Sequence, residues 1–331
     1  MRLWREVCDH LFTHVLWRGG DMVGVGGMPS VHTGDFADPF VLWAEGAYYA
    51  YATQTGSTHV QVMRSEDLAG WEPLGNALPD LPAWACSGWT WAPVVLPRDG
   101  SYVLYYTVRE PRSGRQAISV AASDRPEGPF IDRSTGPLVF QLDRGGSIDP
   151  SPFVDRDATP YLLWKSDDNA LDLPSSLWGQ PLAADGMSLV GEPTELLRQD
   201  RRWERPLIEA PSMVEIAGAY HLFYSANWWE SRRYAVGHAV ASRPMGPFTK
   251  LTTRRPWIAA RRDMSGPGGQ EFFLDADGEL RMAFHAWTPG SIGYAGGGAR
   301  SLRIASLEFH DGRPVVRATA RSTSPGSRGS P

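Results

Sequence analysis

Cysteine is nearly absent from this sequence, and so are the signals of a membrane protein. Among 331 residues only Cys8 and Cys86 are cysteines, too few for a disulfide framework or a thiolate metal site. No run approaches the roughly 18 consecutive apolar residues of a membrane span, and the N-terminus carries charges and glycines where a signal peptide has an unbroken apolar stretch. We therefore expect a cytoplasmic protein with no membrane partner, although export by an unrecognised route stays open.

A basic surface stripe is also missing. The chain has 32 Lys and Arg against 37 Asp and Glu, a formal net charge of -5, and no basic run is interleaved with aromatics, so the footprint of a nucleic-acid binder is absent. We expect a neutral or weakly charged ligand and no nucleic acid. The 14 Trp, 11 Tyr and 12 Phe could stack on sugar rings, but composition alone favours sheet packing.

No long amphipathic helix interrupts the chain, which instead alternates short β-rich runs with turn signals. The runs are Ala47–Thr53, Tyr102–Val108, Tyr161–Lys165, Tyr220–Ala226 and Leu280–Trp287, and the turns include Asp99-Gly100, Asp185-Gly186, Asp277-Gly278 and Asp311-Gly312. Residues 1–30 show no sustained period, and the Ser-, Arg-, Gly- and Pro-rich tail 318–331 is predicted to be disordered. The pattern predicts one all-β domain over residues 31–317.

Five similar openings divide this domain into repeats: Asp38-Pro39, Trp91-Ala92-Pro93, Asp149-Pro150, Glu209-Ala210-Pro211 and Gly266-Pro267-Gly268. Successive openings lie 53, 58, 60 and 57 residues apart. An apolar strand, a turn and further strands follow each of them, which is typical of a four-stranded propeller blade. The sequence therefore predicts a five-bladed β-propeller with a central channel.

Three openings carry a carboxyl group, Asp38, Asp149 and Glu209. Equivalent openings of different blades face one axis, so we expect the three groups to converge. Hydrolysis of an acetal with inversion needs one carboxylic acid and one carboxylate roughly 6.5–9.5 Å apart. A third carboxylate nearby raises the pKa of the acid and keeps it protonated near neutral pH.

The segments around these residues resemble the three signatures of glycoside hydrolase family 43. They are Phe36-Ala37-Asp38-Pro39-Phe40, Ser147-Ile148-Asp149-Pro150-Ser151 and Ile208-Glu209-Ala210-Pro211, and the similarity extends over roughly residues 33–316. By this resemblance Asp38 is the general base, Asp149 the modulator of the acid's pKa, and Glu209 the general acid of an inverting enzyme.

The resemblance also implies residues around the carboxyl groups. Phe36 and Trp91 are expected to form a platform for a sugar ring, and Arg300 to reach substrate hydroxyls or the base, with Arg303 as the alternative. His285 matches a channel histidine of the family, which makes it a candidate for substrate binding or for a structural Ca²⁺ in the channel, while no cofactor is required. Gly269 stands where many relatives have the histidine of Gly-Pro-Gly-His, which puts that metal in doubt.

The expected function is removal of a terminal furanosyl or pentosyl unit from an oligosaccharide or polysaccharide-derived substrate by a monomer. An α-L-arabinofuranosidase is favoured, with β-xylosidase and β-galactofuranosidase close behind. The alternatives are a non-catalytic glycan-binding propeller, which would have lost a carboxyl group, and a fructan or sucrose hydrolase, whose Asn-Asp-Pro, Arg-Asp-Pro and Glu-Cys pattern differs from this chain.

Overall fold

The computed structural model describes residues 27–318, so the predicted tail and most of the predicted N-terminal segment lie outside the described residues. Four short 3-10 helices are present in the described part: Leu142–Arg144, Asp168–Leu171, Arg202–Glu204 and Tyr294–Gly296. Everything else that is regular is β-strand. Across residues 27–318 no helix has the length and apolar character that a membrane crossing requires.

The strands form five antiparallel sheets, and the predicted five-bladed propeller is confirmed. After β1 (Ser30–His32), the first blade holds β2 (Phe40–Ala44), β3 (Ala47–Ala52), β4 (Gln61–Ser65) and β5 (Glu72–Asn76). The second holds β6 (Cys86–Arg98), β7 (Ser101–Glu110) and β8 (Arg115–Ser123). The third holds β9 (Ser147–Val154), β10 (Pro160–Ser166), β11 (Ser176–Pro181) and β12 (Thr194–Arg198).

The fourth blade holds β13 (Ile208–Ile216), β14 (Ala219–Ala226), β15 (Ala235–Ala241) and β16 (Thr249–Lys250). The fifth holds β17 (Ser265–Leu274), β18 (Leu280–Trp287), β19 (Arg300–His310) and β20 (Arg313–Ala318). The first strands of the blades, β2, β6, β9, β13 and β17, contact one another in a closed ring. This ring surrounds the central channel.

Short turns join neighbouring strands within the blades. Asp99-Gly100 and Asp311-Gly312 have positive φ at both residues, as the type I′ turn of a two-residue hairpin requires. Two of the four predicted turn signals are therefore hairpins of the expected kind.

The two ends of the described chain meet in the fifth blade. β1 pairs with the outer side of β19, beside β20. The fold reaches three residues further back than the predicted boundary at residue 31, because Met28 is fully buried among apolar side chains of the fourth and fifth blades. Hydrogen bonds between β1 and β19 thus join the two ends of the described chain.

The second blade departs from the four-stranded pattern. Its sheet has three strands, and isolated bridges from Ile131 to Ala122 and from Val139 to Ile118 occupy part of the outer edge of β8. Apolar clusters fill the spaces between successive blades, so each blade is held by its two neighbours. A rigid ring of this kind can fix side chains that project from its inner strands.

Candidate active site

At an equivalent point in or just before the inner strand of every blade, one residue has a positive φ. These residues are Asp38 (50°), Ala92 (44°), Asp149 (56°), Ala210 (49°) and Gly269 (60°). In the four inner strands whose pairing is recorded through this point, the ladder skips here, as at a β-bulge. A bulge re-aims a side chain, and here it directs one position of every blade at the channel.

Hydrogen bonds between blades hold this ring of residues. In four places the backbone N–H of the bulge residue donates to a side chain at the end of the second strand of the preceding blade. The pairs are Ala92 to Thr53 Oγ1 (3.0 Å), Asp149 to Thr107 Oγ1 (3.1 Å), Gly269 to Ser225 Oγ (2.9 Å) and Asp38 to His285 Nδ1 (3.0 Å). The third blade differs, because the Ala210 N–H donates to Asp149 Oδ2 at 3.0 Å.

This register corrects the alignment of the predicted openings. Asp38 and Asp149 do occupy equivalent positions, but Glu209 precedes its bulge residue by one and is equivalent to Trp91 and Ile148. In the fifth blade the bulge equivalent to Asp149 is at Gly269 and not at Gly266, although the ladder also skips after Ser265. The three predicted carboxyl groups are nevertheless neighbours, close enough to influence one another's charge, and Asp38 and Asp149 line a small cavity of about 20 Å³.

Asp38 is surrounded by groups that favour its charged form. Burial raises the pKa of this carboxyl, but the charge of Arg300 and the hydrogen bond from Thr53 together lower it below its ordinary value. Thr53 Oγ1 donates to Asp38 Oδ2 at 2.7 Å, and Arg300 Nη1 lies 3.4 Å from Asp38 Oδ1. The side chain keeps 22% of its surface exposed, so an ionised Asp38 faces the channel mouth.

Glu209 and Asp149 are in the opposite situation. Burial raises the pKa of Glu209, and burial followed by the charge of Glu209 raises the pKa of Asp149 well above its usual range. Lys165 opposes both shifts. Tyr234 donates to Glu209 Oε1 at 2.7 Å. Because the two carboxyl groups are coupled, we expect the pair to retain a proton at pH values where Asp38 is ionised.

Arg300 is held by an aromatic wall on one side of the site. Its Nε and Nη2 donate to the Tyr294 hydroxyl at 3.1 and 2.9 Å, and its guanidinium carbon lies 4.9 Å from the centre of the Trp229 ring. Arg303 instead donates to the backbone oxygens of Met28 and Asp263. Of the two predicted arginines, Arg300 is therefore the one that reaches Asp38.

The two predicted platform residues have different surroundings. Trp91 is half-buried, lies at the position equivalent to Glu209, and packs edge-on against Trp89 with 5.8 Å between ring centres. Phe36 is only 1% exposed and contacts His32 and the core between the fifth and first blades. This burial indicates packing for Phe36 and leaves little ring surface for a sugar.

His285 is fully buried at the base of the site. Its Nδ1 accepts the Asp38 N–H, and burial lowers the pKa of its ring to about 3. A neutral ring that accepts at Nδ1 carries its proton on Nε2, an atom with no hydrogen-bond partner among the described residues.

That tautomer does not fit a metal ligand. Coordination through Nε2 would move the proton to Nδ1, which would then face the Asp38 N–H. Calcium prefers six to eight oxygen ligands, and residues 27–318 contain no group of three or more His, Cys, Asp or Glu placed to hold an ion. The predicted channel Ca²⁺ therefore has no donor set among these side chains.

Sequence reasoning missed Lys165, Tyr234 and Thr53 as parts of the site. A signal for two of them exists: Thr53, Thr107, Lys165, Ser225 and His285 each follow the bulge residue of their own blade by 15 or 16 positions. Such a ring becomes visible only once the bulge residues are aligned. Nothing comparable marks Tyr234, which lies just before β15.

The chain matches the family model of glycosyl hydrolases family 43 over residues 29–314. It is 25% identical over 303 residues to a probable arabinan endo-1,5-α-L-arabinosidase B from Aspergillus fumigatus, covering 76% of this chain and 79% of the relative. It is 26% identical over 272 residues to the β-D-galactofuranosidase xynD of Aspergillus niger, with 74% of each covered. A crystal structure of a thermostable family-43 glycoside hydrolase superimposes with a TM-score of 0.79 and 31% identity, covering 91% of this chain and all of that one.

Proposed function

The chain belongs to glycoside hydrolase family 43, and we propose that it releases terminal furanosyl or pentosyl units with inversion, α-L-arabinofuranosides first among them. The observation that carries this proposal is the opposed protonation of two carboxyl groups beside one cavity. The environment of Asp38 favours the carboxylate, and that of Glu209 favours the acid. Inverting hydrolysis needs this division of roles.

Asp38 acts as the general base. Its carboxylate takes a proton from a water molecule as the water oxygen attacks the anomeric carbon from the face opposite the leaving group. Arg300 and Thr53 hold the carboxylate in orientation and keep it ionised. Their contacts reduce the freedom of the base before the substrate arrives.

Glu209 acts as the general acid. As the bond between the anomeric carbon and the leaving oxygen breaks, the Glu209 proton passes to that oxygen. Asp149 is the modulator: its carboxyl group is fixed by the Ala210 N–H, and it lies close enough to Glu209 for the two carboxyl groups to hold a proton between them. The Tyr234 hydroxyl orients the Glu209 side chain through one oxygen.

The choice of a furanosyl sugar follows from the relatives. The two curated relatives described above carry names of enzymes that act on arabinan and on galactofuranosides. Both names point to five-membered sugar rings.

A substrate panel tests this proposal. We expect cleavage of p-nitrophenyl α-L-arabinofuranoside, with weaker cleavage of the β-D-galactofuranoside and β-D-xyloside, and release of monosaccharide from arabino-oligosaccharides. Glu209→Gln should abolish release from the oligosaccharides, whereas Glu195→Gln, a change in a surface ion pair, should not. If the wild type cleaves no member of the panel and leaves arabinan, xylan and galactofuranosides intact, the proposal is wrong.

A further inference from the structure

Lys165 breaks the five-fold pattern of the channel. It lies near the end of β10, at the position that Thr53, Thr107, Ser225 and His285 hold in the other blades. Those four side chains each accept a backbone N–H from the next blade. A lysine ammonium has three donors and no acceptor, so Lys165 cannot accept a backbone N–H as its four counterparts do.

Asp149 takes over that work. Its Oδ2 accepts the Ala210 N–H at 3.0 Å, so the link between the third and fourth blades survives without an acceptor at position 165. Lys165 is thereby free to point elsewhere. Its Nζ lies 2.7 Å from Asp167 Oδ1 and 3.7 Å from Glu209 Oε2.

The location of Lys165 is costly unless its charge has a use. Only 1% of the side chain is exposed, and an unpaired ammonium in such a place loses several kcal/mol of hydration. A threonine would satisfy the backbone, as it does in the first and second blades. The pairing with Asp167 offsets the desolvation, but the ion pair itself contributes little that a threonine could not replace.

The charges around Glu209 show what the ammonium faces. Asp149, Asp38 and Asp167 surround Glu209, together with the neutral hydroxyl of Tyr234. Arg300 lies at Asp38, on the other side of the group. His285 stacks on Tyr234 and stays uncharged. Lys165 is therefore the cation on the acid side of a cluster that holds four carboxyl groups.

We propose that Lys165 is a positioning residue that limits how strongly Glu209 and Asp149 hold their shared proton, and so sets the upper pH limit of activity. This proposal rests on the assignment of Glu209 as general acid. Without the ammonium both carboxyl groups would bind protons more tightly, and Asp149 would lose the charge with which it acts on Glu209. With it, one proton remains on the pair and can leave during the reaction.

The test is the pH profile of kcat/KM for the wild type, Lys165→Met and Lys165→Arg. Removal of a charge at this distance should move the alkaline limb of the Met variant upward by about 1 pH unit. The acid limb should stay in place, because Arg300 and Thr53 are the groups that lower the pKa of Asp38. Lys165→Arg keeps the charge and should restore most of the wild-type profile.

Lys250→Met is the matched control. Lys250 is also a buried lysine paired with carboxylates, at 2.7 Å from Asp200 and 2.8 Å from Glu204, but it lies on the outermost strand of the fourth blade. Its loss should lower Tm and leave both limbs of the profile unchanged. If Lys165→Met behaves in the same way, its role is structural and the proposal is wrong.

A second readout separates this proposal from the proposed function. The titration of Glu209 can be followed by NMR in protein labelled with ¹³C at the Glu carboxyl carbons, with the signal assigned by its absence in Glu209→Gln. Lys165→Met should raise the measured pKa of Glu209, whatever substrate the enzyme cleaves. An unchanged titration would overturn the proposal even if the enzyme is a hydrolase.

Discussion

Two buried clusters of charge lie in neighbouring parts of this molecule and are built on different plans. The first is on the outer side of the fourth blade. Glu204 is fully buried there, and it accepts hydrogen bonds from the backbone N–H groups of Asp200 and Arg201, both at 3.0 Å. The Tyr224 hydroxyl and Lys250 Nζ donate to it at 2.8 Å. Every lone pair of this carboxylate that faces the protein has a donor.

The second cluster is the channel site, which has fewer positive charges than carboxyl groups. Asp38, Asp149 and Glu209 share the ammonium of Lys165 and the guanidinium of Arg300. Glu209 keeps 11% of its side chain exposed, whereas Glu204 is sealed from solvent.

A full set of hydrogen-bond donors around one carboxylate and a shortage of positive charges around three carboxyl groups have different consequences. A carboxylate with donors on both oxygens is fixed in place, so the outer cluster serves the stability of the blade. Carboxyl groups that compete for too few positive charges are driven to different protonation states. The channel cluster accepts this electrostatic cost because inverting hydrolysis requires one acid and one base.

The largest effect is expected from the acid and the base themselves. Glu209→Gln should lower kcat/KM on an arabino-oligosaccharide by about 10²–10⁴-fold, with little change in Tm. The loss should be much smaller on a p-nitrophenyl glycoside, since p-nitrophenolate departs without a proton. Asp38→Asn should lower kcat/KM on both substrates to a similar extent. Equal losses on both substrates in the Glu209 variant would contradict its assignment as acid.

The outer cluster should respond in the opposite way. Glu204→Ala leaves Lys250 buried with the half-exposed Asp200 as its remaining carboxylate partner, beside the Arg198 backbone oxygen, so the free energy of unfolding should fall by about 3 kcal/mol. Activity per folded molecule should be unchanged. Denaturant unfolding and active-site titration measure the two quantities. Glu195→Ala, in an exposed pair with Arg198, should cost less than about 1 kcal/mol.

A buried pair without any carboxylate sharpens the comparison. His221 Nδ1 and His238 Nε2 lie 2.9 Å apart, and burial lowers the pKa of His221 to about 4 and that of His238 well below its ordinary value. In the unfolded chain both rings protonate near pH 6.5. The unfolded state therefore binds more protons as the pH falls below 6.5, and the stability that the neutral pair contributes is lost between about pH 6.5 and 4.

The full linkage effect of one such ring would be about 2 kcal/mol at pH 5, which water access and relaxation reduce to about 1 kcal/mol. We expect the difference in unfolding free energy between pH 7 and pH 5 to shrink by that amount in His221→Gln. A difference as large as that of the wild type would show that other groups cause the loss of stability in acid.

The smallest effect concerns one hydrogen bond to the base. Thr53→Val removes the hydroxyl that donates to Asp38 Oδ2 at 2.7 Å. Since that bond favours the charged form, the pKa of Asp38 should rise, and the acid limb of kcat/KM should move upward by about half a pH unit. Thr107→Val is the control, because Thr107 holds the equivalent position but bonds to the Asp149 N–H instead. An acid limb that shifts equally in both variants would assign the effect to the backbone.

Much of this fold follows from the sequence. The five strands around Tyr49, Leu104, Leu163, Leu222 and Ala283 lie where the β-rich runs predict them, because their apolar residues fill the spaces between blades. The five openings at near-equal spacing predict five blades, because each blade needs a similar length of chain. The second blade could not be predicted in detail, since an edge closed by isolated bridges leaves no strand pattern in the sequence.

The sequence predicts that Asp38, Asp149 and Glu209 converge, but not the position of each residue relative to the bulge of its strand. A bulge inserts one residue without any mark in the local composition, so Glu209 was aligned with Asp149 although it lies one position earlier. The place of Phe36 beside Asp38 predicts that its ring forms a platform for a sugar. Only the packing against His32 shows that the ring is covered. Lys165 looks like an ordinary strand residue until its four equivalents are known.

The roles proposed for Asp38 and Glu209 are tested most directly by the anomeric configuration of the first sugar released. Proton NMR recorded within the first minutes of hydrolysis of an α-L-arabinofuranoside, before mutarotation, distinguishes the two anomers. If Asp38 activates water opposite a leaving group protonated by Glu209, the β anomer appears first. Initial release of the α anomer would mean retention through a covalent intermediate, and would contradict the assignment of Asp38 as a base.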